Sequence, residues 1–119
     1  MSVTSARPLL LLTVNTAPER ARRLIPRVLD NLKDRYSIVH AANVARISDV
    51  EAVVEAVQPD VVCCASMWSK EEVAEIHAIA KKLVPNVKTT FIPHGLQVEK
   101  GPDAVVEFLT EEFPKLLDA

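Results

Sequence analysis

The sequence is poor in glycine, cysteine and aromatic residues. Its 119 residues include 2 glycines, 2 cysteines and 4% aromatic residues, against 8 prolines. Phosphate-binding loops use glycine to bring backbone N–H groups up to the anion, so the scarcity of glycine argues against such a loop. The cysteines, Cys63 and Cys64, are adjacent, and neighbouring strand residues point to opposite faces. We therefore expect no disulfide and two small buried side chains in a reducing compartment.

The sequence also lacks a strong charge bias and a long apolar run. A formal net charge of −2 at pH 7 gives no general attraction to nucleic acid or anionic lipid. The leucines at residues 9–12 form a run too short to cross a membrane. No small-residue cleavage site follows them, so they are interpreted as a strand and not as a signal peptide. We expect a cytoplasmic protein that binds neither nucleic acid nor a membrane.

What the sequence does contain is an alternation of apolar runs and amphipathic segments. Strands are predicted at residues 9–14, 36–41, 61–64 and 87–92, and helices near residues 16–33, 48–57, 69–84 and 101–117. This alternation predicts a single α/β domain over residues 1–119, with a loose tail at residues 1–7. The first and third strands are continuously apolar and therefore central, whereas the second and fourth carry polar residues typical of edges. Right-handed crossovers then predict a three-layer, doubly wound parallel sheet of order 2-1-3-4.

Three of the predicted helix starts carry the capping-box pattern, in which Ser or Thr precedes an acidic residue by three positions. The pairs are Thr16 with Glu19, Ser48 with Glu51, and Ser69 with Glu72. Each pattern predicts that the first side chain accepts a backbone N–H of the first helical turn. For Thr16, an anion bound at the same helix end is the alternative.

The segment PDVVCCA, residues 59–65, resembles the strand of response-regulator receiver domains that ends in their phosphorylated aspartate. Ala65 occupies that position here, and Val14 and Asn15 stand where the acidic pair of receiver domains follows the first strand. The lysine that receivers carry on a fifth strand has no counterpart. The resemblance thus implies the flavodoxin-like winding, but neither phosphotransfer nor a magnesium site.

The first turn also loosely resembles the phosphate loop of flavodoxins. Asn15 and Thr16 match its start, and Trp68 falls where a flavin-stacking aromatic residue often lies. That loop depends on backbone N–H groups, whereas Ala17 and Pro18 follow here, and proline has none. We expect no flavin mononucleotide and no other cofactor. The three histidines lack metal-ligand spacing, so no metal site is predicted.

In sheets of this winding, ligands bind beyond the C-terminal ends of the strands, where the strand order reverses. The residues predicted to meet there are Asn15, Thr16, Ser66, Met67, Trp68, His94 and Gly95. Because imidazole titrates near neutral pH, His94 is the candidate general acid or base, the alternative being a loop histidine bonded to backbone. Ser66 is a weaker catalytic candidate, because no nucleophile-elbow glycines flank it. Trp68 either stacks on a flat ligand or covers the end of the sheet.

Two functions remain open at this point. The first is a small-molecule-binding domain or a simple acid-base enzyme of the isomerase, dehydratase or cyclase type. The second is a non-catalytic, receiver-like interaction module. Two sheet edges and a wide apolar arc on the last helix, with Phe108 beside Val105 and Phe113, favour a homodimer.

Overall fold

Residues 7–118 are described by the structure, a computed structural model. The elements in chain order are β1 (Leu9–Val14), α1 (Pro18–Leu32), β2 (Ile38–Val44), α2 (Val50–Val57), β3 (Val61–Cys64), α3 (Lys70–Leu83), β4 (Lys88–Phe91) and α4 (Leu96–Leu117). Apart from Arg7, the predicted tail lies outside the described residues. The Arg7 guanidinium pairs with the Asp60 carboxylate, with Nη1 and Oδ2 2.8 Å apart. None of the helices between residues 7 and 118 is long and apolar enough to span a bilayer.

The four strands form one parallel sheet of order β2-β1-β3-β4. This confirms the predicted α/β class and the flavodoxin-like, doubly wound topology. All four residues of β3 and the last four of β1 are buried, as the unbroken apolar runs predict for strands covered on both faces. The second strand differs from its prediction, because it begins at Ile38 and continues to Val44.

Two separate apolar cores lie on the two faces of the sheet. Cys63 packs under α1 and α4 with Leu24, Val28 and Leu109. Cys64 points the other way, into the core that α2 and α3 cover. Burial raises the pKa of both thiols, to about 12 for Cys64, so both cysteines remain protonated and unreactive.

A bulge in β2 changes which of its side chains face α1. Ala41 is the extra residue, without a partner in β1. Leu11 pairs with His40 before the bulge, and Thr13 pairs with Asn43 after it. Leu11 and Thr13 point to the same face of the sheet, so the bulge brings both His40 and Asn43 to that face. No sequence pattern indicated this insertion.

Only one of the three predicted capping boxes forms. Ser69 Oγ accepts the Glu72 N–H at 3.1 Å, and Glu72 Oε1 accepts the Ser69 N–H at 2.8 Å. These two bonds satisfy two of the N–H groups that a helix start leaves free. They fix the position where the chain turns from β3 into α3.

The other two cap predictions are wrong. Thr16 is exposed and Ala17 precedes α1, because Asn15 Oδ1 accepts the Ala17 N–H at 2.8 Å in a turn of its own. Ser48 lies inside a short 3-10 helix, and Asp49 follows it as the residue before α2. Neither Ala17 nor Asp49 makes a side-chain capping bond.

The last helix begins earlier than predicted and is kinked. Helical structure starts at Leu96, in a segment expected to be a loop, and is interrupted at Gly101, where φ is 83° and ψ is −177°. This conformation is essentially restricted to glycine. Its extended ψ suits the residue before Pro102, which then opens the long second part of the helix. The predicted start at residues 101–103 therefore corresponds to the second part of α4.

Candidate functional site

The end of β1 is held by a network of polar side chains under α1. The Thr13 hydroxyl donates to Asn43 Oδ1 at 2.7 Å and lies 2.8 Å from His40 Nε2. Because the hydroxyl has one proton, His40 Nε2 is the donor in the second bond. Asn43 Nδ2 in turn donates to the Asn15 carbonyl at 3.1 Å. Burial lowers the pKa of His40 and so favours the neutral ring, and a hydrogen bond to the Ala42 backbone partly offsets this shift.

Trp68 closes the end of the sheet on the α2 and α3 side. Its side chain is 8% exposed, and its indole Nε1 donates to the Val14 carbonyl at 2.8 Å. The ring packs in the core that contains Val44, Val73 and Ile76. Of the two roles expected for Trp68, this arrangement corresponds to the cover over the sheet end. Trp68 also lines a cavity that is described below.

His94 stands beside Trp68, on the loop that follows β4. Its Nδ1 lies 3.1 Å from the Trp68 carbonyl oxygen. A carbonyl only accepts hydrogen bonds, so Nδ1 carries the proton and Nε2 of the neutral ring keeps its lone pair. The loop is held by Gly95, whose N–H donates to the Ser66 carbonyl at 3.1 Å. His94 is exposed, and its imidazole is therefore open to solvent or to a ligand.

An apolar groove with a volume of about 440 Å³ lies between α3 and the end of β4. Its walls are formed by Trp68, Lys70, Val73, Ala74, His77, Phe91 and His94. Phe91 is 49% exposed although it is large and apolar. The size and apolar lining fall within the range of small-molecule sites.

The groove contains a second imidazole, that of His77. Its Nε2 lies 3.0 Å from the Thr90 carbonyl and so carries the proton, which leaves the lone pair on Nδ1. The ring centroid is 6.4 Å from that of Phe91, with the planes tilted by 52°. Burial lowers the pKa of His77, a bond to the Thr90 backbone partly counters this, and nearby Lys81 lowers it further. His77 is therefore neutral at pH 7.

Three of the remaining predicted residues line a different, much smaller cavity on the other face of the sheet, whereas Thr16 and Gly95 line neither this cavity nor the groove. Asn15, Ser66 and Met67 surround it together with Arg20 and Gln97, and its volume is about 20 Å³. Asn15 and Ser66 are buried. Met67 packs against both cores and separates the two cavities. The structure thus groups Trp68 with His94, and Asn15 with Ser66.

Lys70, His77 and Phe91 line the groove but were not among the predicted site residues. A signal existed in the sequence, because residues 70, 73, 74 and 77 follow the spacing of one helix face. That face starts at the confirmed cap of α3, directly after Trp68. Within the described range, no cluster of three or more histidine, cysteine or acidic side chains could hold a metal ion.

No protein-family model matches the sequence, and no curated protein matches it either. The likeness to flavodoxin-like proteins therefore consists of the strand order and its alternation with helices. That topology hosts many unrelated functions, so function has to be argued from the geometry of the site itself.

Proposed function

We propose that this protein binds a small molecule in the groove between α3 and β4, and that His94 acts there as a general acid or base. The observation that carries the proposal is an apolar groove of about 440 Å³ that contains two imidazoles, each oriented by a backbone carbonyl. Ligand sites typically combine apolar walls with a few polar groups of fixed direction.

The chemistry follows from the ring nitrogens that remain free. His94 Nε2 and His77 Nδ1 are acceptors in the neutral rings, so each suits a ligand hydroxyl or an acidic C–H. Lys70 lines the same groove and forms no ion pair with any residue between 7 and 118. The groove therefore favours a flat or cyclic ligand with an anionic group and an ionisable hydrogen.

His94 is better placed than His77 for proton transfer. It is exposed and can be reached by a ligand, whereas burial lowers the pKa of His77 and so makes that ring a weaker base. A proton removed by His94 Nε2 and returned to another atom of the same molecule is an isomerisation, and its delivery to a leaving hydroxyl is a dehydration. Both reactions need only a positioned base, so the proposal includes no cofactor.

The first test is a ligand screen by thermal shift, using a library of small hydroxylated and carboxylated metabolites. Binding is then measured by intrinsic fluorescence, because Trp68 is the only tryptophan and lines the groove. Catalysis is detected by NMR in D₂O, since a base that removes a C–H proton exchanges it for deuterium. A screen with no ligand that shifts both the melting temperature and the fluorescence would contradict the proposal.

The decisive variant is His94→Asn. The asparagine amide stands close to the place of the imidazole Nδ1 and can still donate to the Trp68 carbonyl, but it offers no ring Nε2. We expect ligand-dependent deuterium exchange to fall by about 100-fold or more, with little change in melting temperature. Unchanged exchange would mean that His94 is not the base.

The second candidate is an interaction module that pairs with its own copy. It is favoured by Phe91, exposed on the outermost strand, where the other edge of β4 has no partner strand among the described residues. Sedimentation velocity over a range of concentrations tests it. Phe91→Ser should then weaken a dimer, whereas Val98→Ser, at a more exposed residue outside the groove, should not. A monomer at all concentrations would exclude this candidate.

A further inference from the structure

The outer edge of β4 is the regular free edge of the sheet. Lys88 and Ile92 donate their N–H groups to carbonyls at the two ends of β3, so their backbone groups face inward. Because backbone groups alternate in direction along a strand, those of Thr89 and Phe91 point to the other edge, where no strand among the described residues pairs with them. The edge of β2, in contrast, is interrupted by the bulge at Ala41, and bulges hinder further pairing. The β4 edge is therefore the one that can accept another strand.

The two faces of this edge carry different side chains. Thr90 points to the α4 face, where its hydroxyl donates to Glu112 Oε2 at 3.3 Å. Lys88 lies two residues before Thr90 and therefore points to the same face. Lys88 and Glu112 are both half-buried, and neither forms an ion pair with another residue in the range 7–118. Phe91 points to the opposite face, where it is 49% exposed beside His77.

We infer that the β4 edges of two copies pair antiparallel about a twofold axis, which joins the two four-stranded sheets into one continuous sheet. Thr90 lies on the axis and faces the partner's Thr90, and Thr89 pairs with the partner's Phe91. In this register every outward N–H and carbonyl group of Thr89 and Phe91 is hydrogen-bonded in both copies. The inference rests on the second candidate function, a module that pairs with its own copy, and adds to it the strand, the register and the contacts.

The register brings opposite charges together on the α4 face. Lys88 lies diagonally opposite the partner's Thr90, at a distance of about 7–8 Å between backbones that a lysine side chain can cross. Since Glu112 is bonded to Thr90, Lys88 then reaches the partner's Glu112, and the symmetry repeats this contact. A hollow of about 290 Å³, which Glu112 lines, leaves room for the incoming ammonium group. This self-complementarity favours a second copy over an unrelated strand as the occupant of the edge.

On the α3 face, the pairing covers Phe91. The ring lies directly opposite the partner's Thr89 and diagonal to the partner's Phe91, and aromatic side chains reach such neighbours. Methyl and aromatic surface therefore replaces water on the exposed side of the ring.

The test is sedimentation velocity over a range of concentrations, combined with an exchange of the two charges. Lys88→Glu places two carboxylates together at each contact and should weaken the dimer by about tenfold or more, and Glu112→Lys alone should act in the same direction. The double variant restores opposite charges and should dimerise as the wild-type protein does. Lys82→Glu, which makes the same change of net charge at an exposed position of α3, should leave dimerisation unchanged.

Cysteine substitutions in β4 test the register itself. Residues that face each other at the axis are about 4.5–5.5 Å apart between Cα atoms, a spacing at which a disulfide forms. Thr90→Cys should therefore give a disulfide-linked dimer under mild oxidation. Thr89→Cys should not, because its two copies are diagonal neighbours at about 7–8 Å. Cys63 and Cys64 are buried and do not compete for the oxidant.

The outcomes separate this inference from the candidate function on which it rests. A dimer that Lys88→Glu leaves unchanged, or a disulfide in Thr89→Cys in place of Thr90→Cys, would overturn the register while self-pairing itself stands. A wild-type protein that stays monomeric at all concentrations would overturn both, and the β4 edge would then be open to an unrelated strand.

Discussion

Replacing Gly101 by alanine should destabilise the protein through the backbone alone. At φ 83° and ψ −177° an L-residue is strained by about 1–3 kcal/mol. A Cβ built at this position meets no atom within 4 Å, so packing adds little to the effect. Alanine also restricts the unfolded chain, which offsets about 0.4–1 kcal/mol. We therefore expect a net loss of about 1–2 kcal/mol in the free energy of unfolding.

Urea unfolding followed by the fluorescence of Trp68 measures this loss, since Trp68 is buried and unique in the chain. D-alanine at position 101 is the matched control, because a D-residue adopts positive φ without strain while still restricting the unfolded chain. It can be introduced by ligation of a synthetic segment at Cys63. The L-variant should be less stable than wild type and the D-variant slightly more stable. Equal stability of all three proteins would refute the argument from backbone strain.

Three further predictions concern the caps, the histidines and the tryptophan. Ser69→Ala should cost about 1 kcal/mol by urea unfolding, whereas Ser48→Ala, which removes no cap, should change stability by less than about 0.5 kcal/mol. Burial lowers the pKa of His40 and His77 below the value of 6.5 in the unfolded chain, so stability should be retained above pH 6.5 and fall below it. Urea midpoints across this pH range check the trend, and a flat profile would contradict it. Trp68→Phe should cost at least about 1 kcal/mol, because the Val14 carbonyl loses a donor, and an unchanged urea midpoint would argue against this bond.

The sheet was predictable because its order depends on strand polarity. The unbroken apolar run of β3 requires cover on both faces, whereas Lys88 and Thr89 in β4 are tolerated at an edge. The helix starts were less predictable, since a capping pattern shows only that a hydrogen bond between the Ser or Thr side chain and a backbone N–H is possible. Near Thr16, the Asn15 side chain and not the Thr16 hydroxyl accepts a backbone N–H, that of Ala17. Ser48 lies inside a 3-10 helix and therefore does not precede the first turn of α2.

Which site residues lie together depends on the face of the sheet to which each side chain points, and the spacing of residues in the sequence does not give that face. The indole of Trp68 turns to the α3 face, whereas Asn15 and Ser66 turn to the α1 face. The meeting of Trp68 with His94 followed from two parallel strands that end at the same rim. The helical turn at residues 96–100 is not predictable from the sequence, because five residues between two glycines give no helical periodicity.

Because the two adjacent thiols point to opposite faces of the sheet, each one can report the opening of a different helical layer. Each cysteine is buried in its own core, and a reagent reaches its thiol only when the helices that cover that face of the sheet move away. The rate at which a disulfide reagent modifies each thiol, resolved by peptide mass spectrometry, would time the opening of the two helical layers separately. Equal rates would mean that the two layers open together, whereas faster modification of Cys63 would show that the layer of α1 and α4 opens first.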